Sequence, residues 1–214
     1  MKKHRKCKKI IAFVTVLFIA FVAVIGLHKT GIYRFDFLKD IYKKIDFQLS
    51  TNELNIPQDA LSFSVYDIEQ EEYLFYEGDS QLPTVASLAK LFAIDYALGK
   101  VDLEDIVEVN QEVLELVPAG SSLANLYAGE YTVKQIMEAM LVPSGNDAAY
   151  VVADYCGGLL DPQASTAGER VNAFMTGLNQ HIAEIGCTDT VLYDPSGFDL
   201  DARTTVLDLK TVVD

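Results

Sequence analysis

Ser87-Leu88-Ala89-Lys90 opens the stretch whose reading decides the fold. From Leu88 to Leu98 the chain is almost wholly apolar, running through Ala89, Leu91, Phe92, Ala93, Ile94, Tyr96 and Ala97, with Lys90 and Asp95 its only charges. A segment apolar on every side reads as a helix in the middle of a core rather than one on its surface. Ser87 stands three residues before Lys90, one turn away on the same helical face. Desolvation disfavours an ammonium, so a buried lysine there becomes a neutral amine near neutral pH, the base a serine nucleophile needs. The same tetrad also fits a plainer arrangement, with Ser87 as a helix N-cap and Lys90 reaching out to water.

A second motif weighs on that choice. Thr132 to Leu141 reads as a helix with a Thr N-cap, Gln135 at the third position of a capping box, and apolar Val133, Ile136, Met137, Met140 and Leu141. Pro143 helps end it, Ser144-Gly145-Asn146 follows, and a new helix opens at Asp147-Ala148-Ala149. Ser, Gly and Asn are ordinary turn formers. Paired with an upstream S-x-x-K on a buried helix, however, the corner matches two of the three signatures of penicillin-interacting serine enzymes.

The chain resembles the serine-type D-alanyl-D-alanine carboxypeptidases, the low-molecular-weight penicillin-binding proteins of peptidase family S11. Pro83 to Lys90 is similar to that family's proline-led approach to its nucleophile, and Gly129-Glu130-Tyr131-Thr132-Val133 to its G-E-x-x-T-V lead. Ser144 to Ala149 is the family's S-G-N-D-A-A as it stands. Phe174 to Asn179, Gly186, Thr190 and Asp194-Pro195-Ser196-Gly197-Phe198 resemble the landmarks that come next, so the similarity runs from about Pro57 to the last residue.

The resemblance implies an α+β fold, the α/β sandwich of the β-lactamase and D,D-peptidase type. It implies Ser87 as the nucleophile that attacks between two D-alanines and forms an acyl-enzyme, with Lys90 as general base. Ser144 would relay a proton, and Asn146 would bind the substrate amide and position Lys90. The Ser87 backbone N–H, at the start of its helix, would be one oxyanion donor. The implied partners are a peptidoglycan stem peptide ending in D-Ala-D-Ala and β-lactam antibiotics as inhibitors; no cofactor and no metal are expected.

The third family signature, K-T-G on a core strand, is not visible. Lys210-Thr211-Val212 is a near-match, but it lies in a stretch from Thr205 that reads as a Thr-capped helix, and Val replaces the Gly. The expected fold is therefore incomplete, an N-terminal hairpin and the helical subdomain without the C-terminal core strands. The chain is expected to be the N-terminal part of a longer enzyme or a truncated product. Two other readings stay open: a non-catalytic, membrane-anchored cell-wall-binding protein, and a class A-like β-lactamase. Against the latter, Glu169-Arg170-Val171-Asn172 lacks the E-x-x-L-N spacing that class uses.

The N-terminus sets the compartment. Residues 1–9 carry six of the 17 basic residues, and residues 10–27 are apolar and uncharged. That length suits a signal anchor, or a long signal peptide, and the preceding cations place the rest outside the membrane. Residues 28–56, with Phe35, Leu38, Ile41, Tyr42 and Ile45 at helical spacing, read as a juxtamembrane stalk, and 57–214 as the partial penicillin-binding domain. After Leu27 the chain holds 11 basic and all 31 acidic residues, a formal charge of −20. That excludes nucleic acid and anionic headgroups as partners of its surface.

The remaining features are sparser. Leu61, Phe63 and Val65 alternate with polar residues and Tyr73 to Tyr76 returns, a hairpin; Val107 to Val109 reads as a further short strand. Cys156 and Cys187 lie where disulfides form, yet their spacing demands none, and free buried thiols are expected. His181 falls on a helix expected over Val171–Ile185, and no histidine sits in a context that suggests a Ser-His-Asp triad.

Overall fold

The computed structural model describes residues 62–77 and 84–213. The segments expected over residues 1–9, 10–27 and 28–56, together with Leu61 and Pro83, lie outside the described residues. The described residues fall in two compact units, Tyr66–Phe75 in one and 62–65, 76–77 and 84–213 in the other. Alternating residues build the expected hairpin, β1 (Phe63–Asp67) and β2 (Glu72–Glu77), which form a two-stranded sheet. At its tip the Tyr66 and Tyr73 rings meet edge to face with centroids 5.0 Å apart.

The side chains singled out as candidates in the sequence lie from Thr84 onward. A single 3-10 turn, Ala86–Leu88, runs into α1 (Ala89–Leu98). Its residues Ala89, Lys90, Phe92, Ala93, Tyr96 and Ala97 are all buried, with no polar face, as the composition requires. β3 (Ile106–Val109) pairs antiparallel with β4 (Gly129–Thr132), Ile106 opposite Thr132 and Val109 opposite Gly129. The sequence reading anticipates β3 but not β4, whose Gly-Glu-Tyr-Thr has no alternating apolar pattern to betray it.

The helices follow their caps. After the short α2 (Gln111–Leu114), capped by the Asn110 side chain, α3 (Val133–Leu141) begins with the expected capping box. Thr132 Oγ1 accepts from the Gln135 amide and Gln135 Oε1 from the Thr132 amide. α4 (Asn146–Leu160) is buried along most of its length. α5 (Ala167–Glu184) starts four residues before the expected Val171, because Thr166 and Glu169 form a second capping box. Its first turn, Ala167-Gly168-Glu169-Arg170, carries almost no apolar signal. α6 (Val206–Val213) is capped by Thr205, whose Oγ1 accepts from the Asp208 amide.

α4 and α5 pack along one another, and α1 packs against both. The first crossing is so close that a Cβ on Gly157 would stand 1.8 Å from the Arg170 carbonyl oxygen, so only glycine fits. Phe92 of α1 and Phe174, Leu178 and Ile182 of α5 are buried in the core, where the Tyr96 and Phe174 rings lie 5.3 Å apart. Arg170 donates to the mostly buried Asp154 at 2.7 Å and ties the two long helices together. Among the described residues no helix is long and apolar enough to cross a membrane.

Candidate active site

α1 enters the core with its lysine inward. Lys90 is 2% exposed, among the largest fully buried side chains of the described residues, so the arrangement with Lys90 in water does not occur. Four oxygens surround its Nζ: Asn146 Oδ1 at 2.8 Å, Ser87 Oγ at 3.1 Å, the Ser196 carbonyl at 3.2 Å and Ser144 Oγ at 3.4 Å. Ser144 Oγ in turn donates to Ser87 Oγ at 2.8 Å. The four side chains singled out in the sequence thus meet at one point.

Two features of the backbone aim Ser87 and Ser144. Ala86 has φ 47° and Ser144 φ 60°, both in the left-handed region that residues with a Cβ avoid. Such positions cost on the order of 1–3 kcal/mol each and persist only where surrounding packing enforces them. At the corner the enforcement is visible. A Cβ on Gly145 would lie 2.7 Å from each of Ala124 Cβ, the Ala139 carbonyl and Asp147 Oδ1. The Asn146 amide donates to the Ser122 carbonyl at 2.8 Å. Buried Asp147 accepts from the Ala124 and Leu126 amides at 2.8 and 2.9 Å, stitching the 122–126 loop to the start of α4.

On the other side, the turn after Tyr193 presses on the nucleophile's backbone. Gly197 has φ 79°, and a Cβ there would stand 1.8 Å from the Ala86 carbonyl oxygen. This turn supplies the fourth oxygen around Lys90, the Ser196 carbonyl. In the sequence Asp194-Pro195-Ser196-Gly197 stands out only as a family landmark, and its carbonyl is not assigned there, because a backbone oxygen leaves no residue-type signature.

Burial holds the Lys90 amine below the usual lysine range, with the Asp194 and Asp147 carboxylates acting in the opposite sense. Ser87 is exposed while Lys90 behind it is buried, so the hydroxyl faces solvent and the amine does not. The hydroxyl opens into a cleft of about 520 Å³ whose walls include Leu88, Leu91, Met140 and Leu141. The arrangement can activate a hydroxyl, and it presents that hydroxyl to a ligand from solvent.

The other candidates stand apart. His181 Nε2 lies 2.7 Å from Asp95 Oδ2, a link between α5 and α1 rather than part of the Lys90 cluster. Cys156 and Cys187 are free and buried, their thiols pushed up by burial to about 12 and about 11. Among the described residues no group of acidic, histidine or cysteine side chains could hold a metal ion.

Residues 56–213 match the family model described as D-alanyl-D-alanine carboxypeptidase. No curated protein matches the chain. Among solved structures, the Streptomyces K15 DD-transpeptidase is 25% identical with a TM-score of 0.62, over 71% of this chain and 57% of that one. A mutant of the same enzyme is 26% identical with a TM-score of 0.63, over 72% and 58%. The D-alanyl-D-alanine carboxypeptidase DacD from Francisella tularensis is 24% identical with a TM-score of 0.60, over 74% of this chain and 37% of that one. The chain therefore spans less than two thirds of the length of these structures.

Proposed function

The chain belongs to the serine-type D-alanyl-D-alanine carboxypeptidase family, and from that membership we propose that it removes the terminal D-alanine of peptidoglycan stem peptides through an acyl-enzyme on Ser87. One observation carries the assignment: the buried Lys90 amine lies 3.1 Å from Ser87 Oγ.

The hydrogen-bond inventory around that amine explains why it serves as a base. Asn146 Oδ1 and the Ser196 carbonyl can only accept. A neutral amine has two N–H groups and one lone pair. Donating to those two oxygens leaves the lone pair directed at the hydroxyls of Ser87 and Ser144. Lys90 then takes the Ser87 proton as Oγ bonds to the carbonyl carbon, and the tetrahedral oxyanion collapses with loss of D-alanine. Ser144, within reach of both groups, returns the proton to the departing nitrogen. Water attacks the acyl-enzyme in the second half-reaction and regenerates Ser87.

Stabilisation of the oxyanion falls to the Ser87 amide in the 3-10 turn that leads into α1, just ahead of the helix end whose dipole favours negative charge. Asn146 both holds Lys90 and supplies an amide to the substrate backbone. The charge order at the N-terminus, six cations before the apolar run 10–27, supports placing the domain outside the membrane and facing the wall.

Glu169 tells against the β-lactamase reading. Its carboxylate accepts from the Ser165 amide and hydroxyl and from the Thr166 amide, so it serves the α5 cap rather than a deacylating water. Labelling with a fluorescent penicillin, and release of D-alanine from a peptide ending in D-Ala-D-Ala, test the assignment. Wild type labelled and Ser87→Ala unlabelled is the expected result. A folded wild type that takes no label and releases no D-alanine leaves the non-catalytic wall-binding reading in its place.

A further inference from the structure

We propose that Asp194 is the positioning residue of this site, its buried carboxylate locking the turn that brings the Ser196 carbonyl to Lys90 and seats Gly197 on the Ala86 backbone. The proposal rests on the reading of Ser87 and Lys90 as nucleophile and base.

The geometry is specific. Asp194 is 9% exposed. Its Oδ1 accepts from both the amide and the hydroxyl of Ser196, and its Oδ2 accepts from the Asp199 amide at 2.7 Å. All three donors belong to the turn it closes. Among the described residues it forms no ion pair with a lysine, arginine or histidine. The carboxylate is thus spent on fixing residues 196–199. Two consequences of that fixed turn reach the chemistry: the 3.2 Å contact from Ser196 to Lys90, and the approach of Gly197 to the carbonyl immediately before Ser87.

The charge itself matters as well. Of the groups facing Lys90, the hydroxyls of Ser87 and Ser144, the Asn146 amide and the Ser196 carbonyl are neutral. The charged ones are Asp194 and Asp147, which both raise the amine's affinity for a proton against the larger effect of burial. Tyr150 of α4 is pushed up to about 12, by burial first and then by the Asp194 and Asp199 carboxylates, so it adds no charge. Asp147 is committed to the 122–126 loop, and of the turn's two carboxylates, Asp194 and Asp199, Asp194 is the one that acts on Lys90. Burial lowers the amine's affinity for a proton, and the Asp194 carboxylate works against that lowering.

Asp194→Asn removes the charge and keeps one oxygen to accept from Ser196, giving up the acceptor for the Asp199 amide. Asp194→Ala removes both. In the full chain in detergent micelles, the Lys90 titration is followed by NMR of 13Cε-labelled lysine, assigned with Lys90→Met, beside fluorescent-penicillin labelling across pH. Expected for Asp194→Asn is a Lys90 titration moved to lower pH by on the order of one unit, with the acid limb of labelling moving the same way. Expected for Asp194→Ala is a plateau labelling rate at least about ten-fold lower. Lys90 titrating at the wild-type pH in Asp194→Asn overturns the proposal, as does Asp194→Ala labelling at the wild-type rate. A chain whose Lys90 shifts as expected while wild type takes no penicillin keeps Asp194 in its role toward the amine and instead sinks the acylation reading.

Discussion

Ser144 Oγ and Ser87 Oγ stand 2.8 Å apart across 57 residues of sequence, and the Lys90 amine lies within 3.4 Å of both. The three groups form a closed triangle of contacts, the path along which the proposed mechanism moves the proton. Ser144→Ala breaks one side of it without emptying the core. The expected acylation rate by a β-lactam is about 100- to 10,000-fold lower, the range for losing a positioned proton carrier. A rate within two-fold of wild type would remove Ser144 from the proton path.

Lys90→Met keeps the volume of the buried side chain and deletes the amine. Acylation should fall at least about 100-fold. The stability comparison has a sign fixed by the lowered folded-state pKa of Lys90. Between that pKa and the unfolded value of 10.5, the unfolded chain binds the extra proton, so raising pH across this window favours the folded wild type. Below the folded pKa the burial penalty of the ammonium is present in full. Urea unfolding of both chains should therefore show wild type gaining on Lys90→Met as pH rises through the window; a pH-independent difference would contradict a lowered Lys90.

Gly197→Ala should damage the site from outside the ring of oxygens. Its left-handed backbone alone makes a side chain cost about 1–2 kcal/mol, and the new Cβ would meet the Ala86 carbonyl at 1.8 Å. Something must move, and the nearest movable element is the 3-10 turn that carries Ser87. Thermal melting should show a lower midpoint and penicillin labelling should drop with it. An unchanged labelling rate would show that the Ala86–Ser87 turn does not depend on this contact.

Arg170→Met leaves Asp154 buried without its partner. Breaking one side of such a pair costs about 3 kcal/mol or more. Burial already raises the Asp154 pKa and the Arg170 hydrogen bond and charge lower it, so removing Arg170 raises it further. The destabilisation should be largest near neutral pH and shrink as acid protonates Asp154. Chemical denaturation at pH 7 and pH 5 checks both size and trend.

Much of this site is legible in the residue pattern, for a physical reason. A lysine in an otherwise apolar helix is anomalous because burying an amine is costly, so Lys90 stands out. Ser144-Gly145-Asn146 stands out because two helices must be joined by residues that tolerate a tight corner. The Ser196 carbonyl carries no such mark, since every residue has one. Nor does the left-handed φ at Ala86, which the packing of Gly197 enforces from more than a hundred residues away. β4 stays hidden for a similar reason: Gly129 to Thr132 becomes a strand because Ile106 to Val109 lies beside it, and the four residues alone do not encode that. The first turn of α5 was encoded in Thr166 and Glu169, a capping signal weaker to the eye than an apolar stripe.

The close crossing of Gly157 on Arg170 bears on the order of assembly. The two helices it joins are separated by only the six residues 161–166, so closing their contact costs little loop entropy. Lys90, by contrast, collects its partners at sequence separations of 3, 54, 56 and 106 residues. The last of these arrives only when the turn at Ser196 docks. Until then the amine is hydrated and protonated and the serine beside it is an ordinary alcohol. On the proposed function, the arrangement that would make Ser87 reactive is therefore complete only when all four contacts to Lys90 are made.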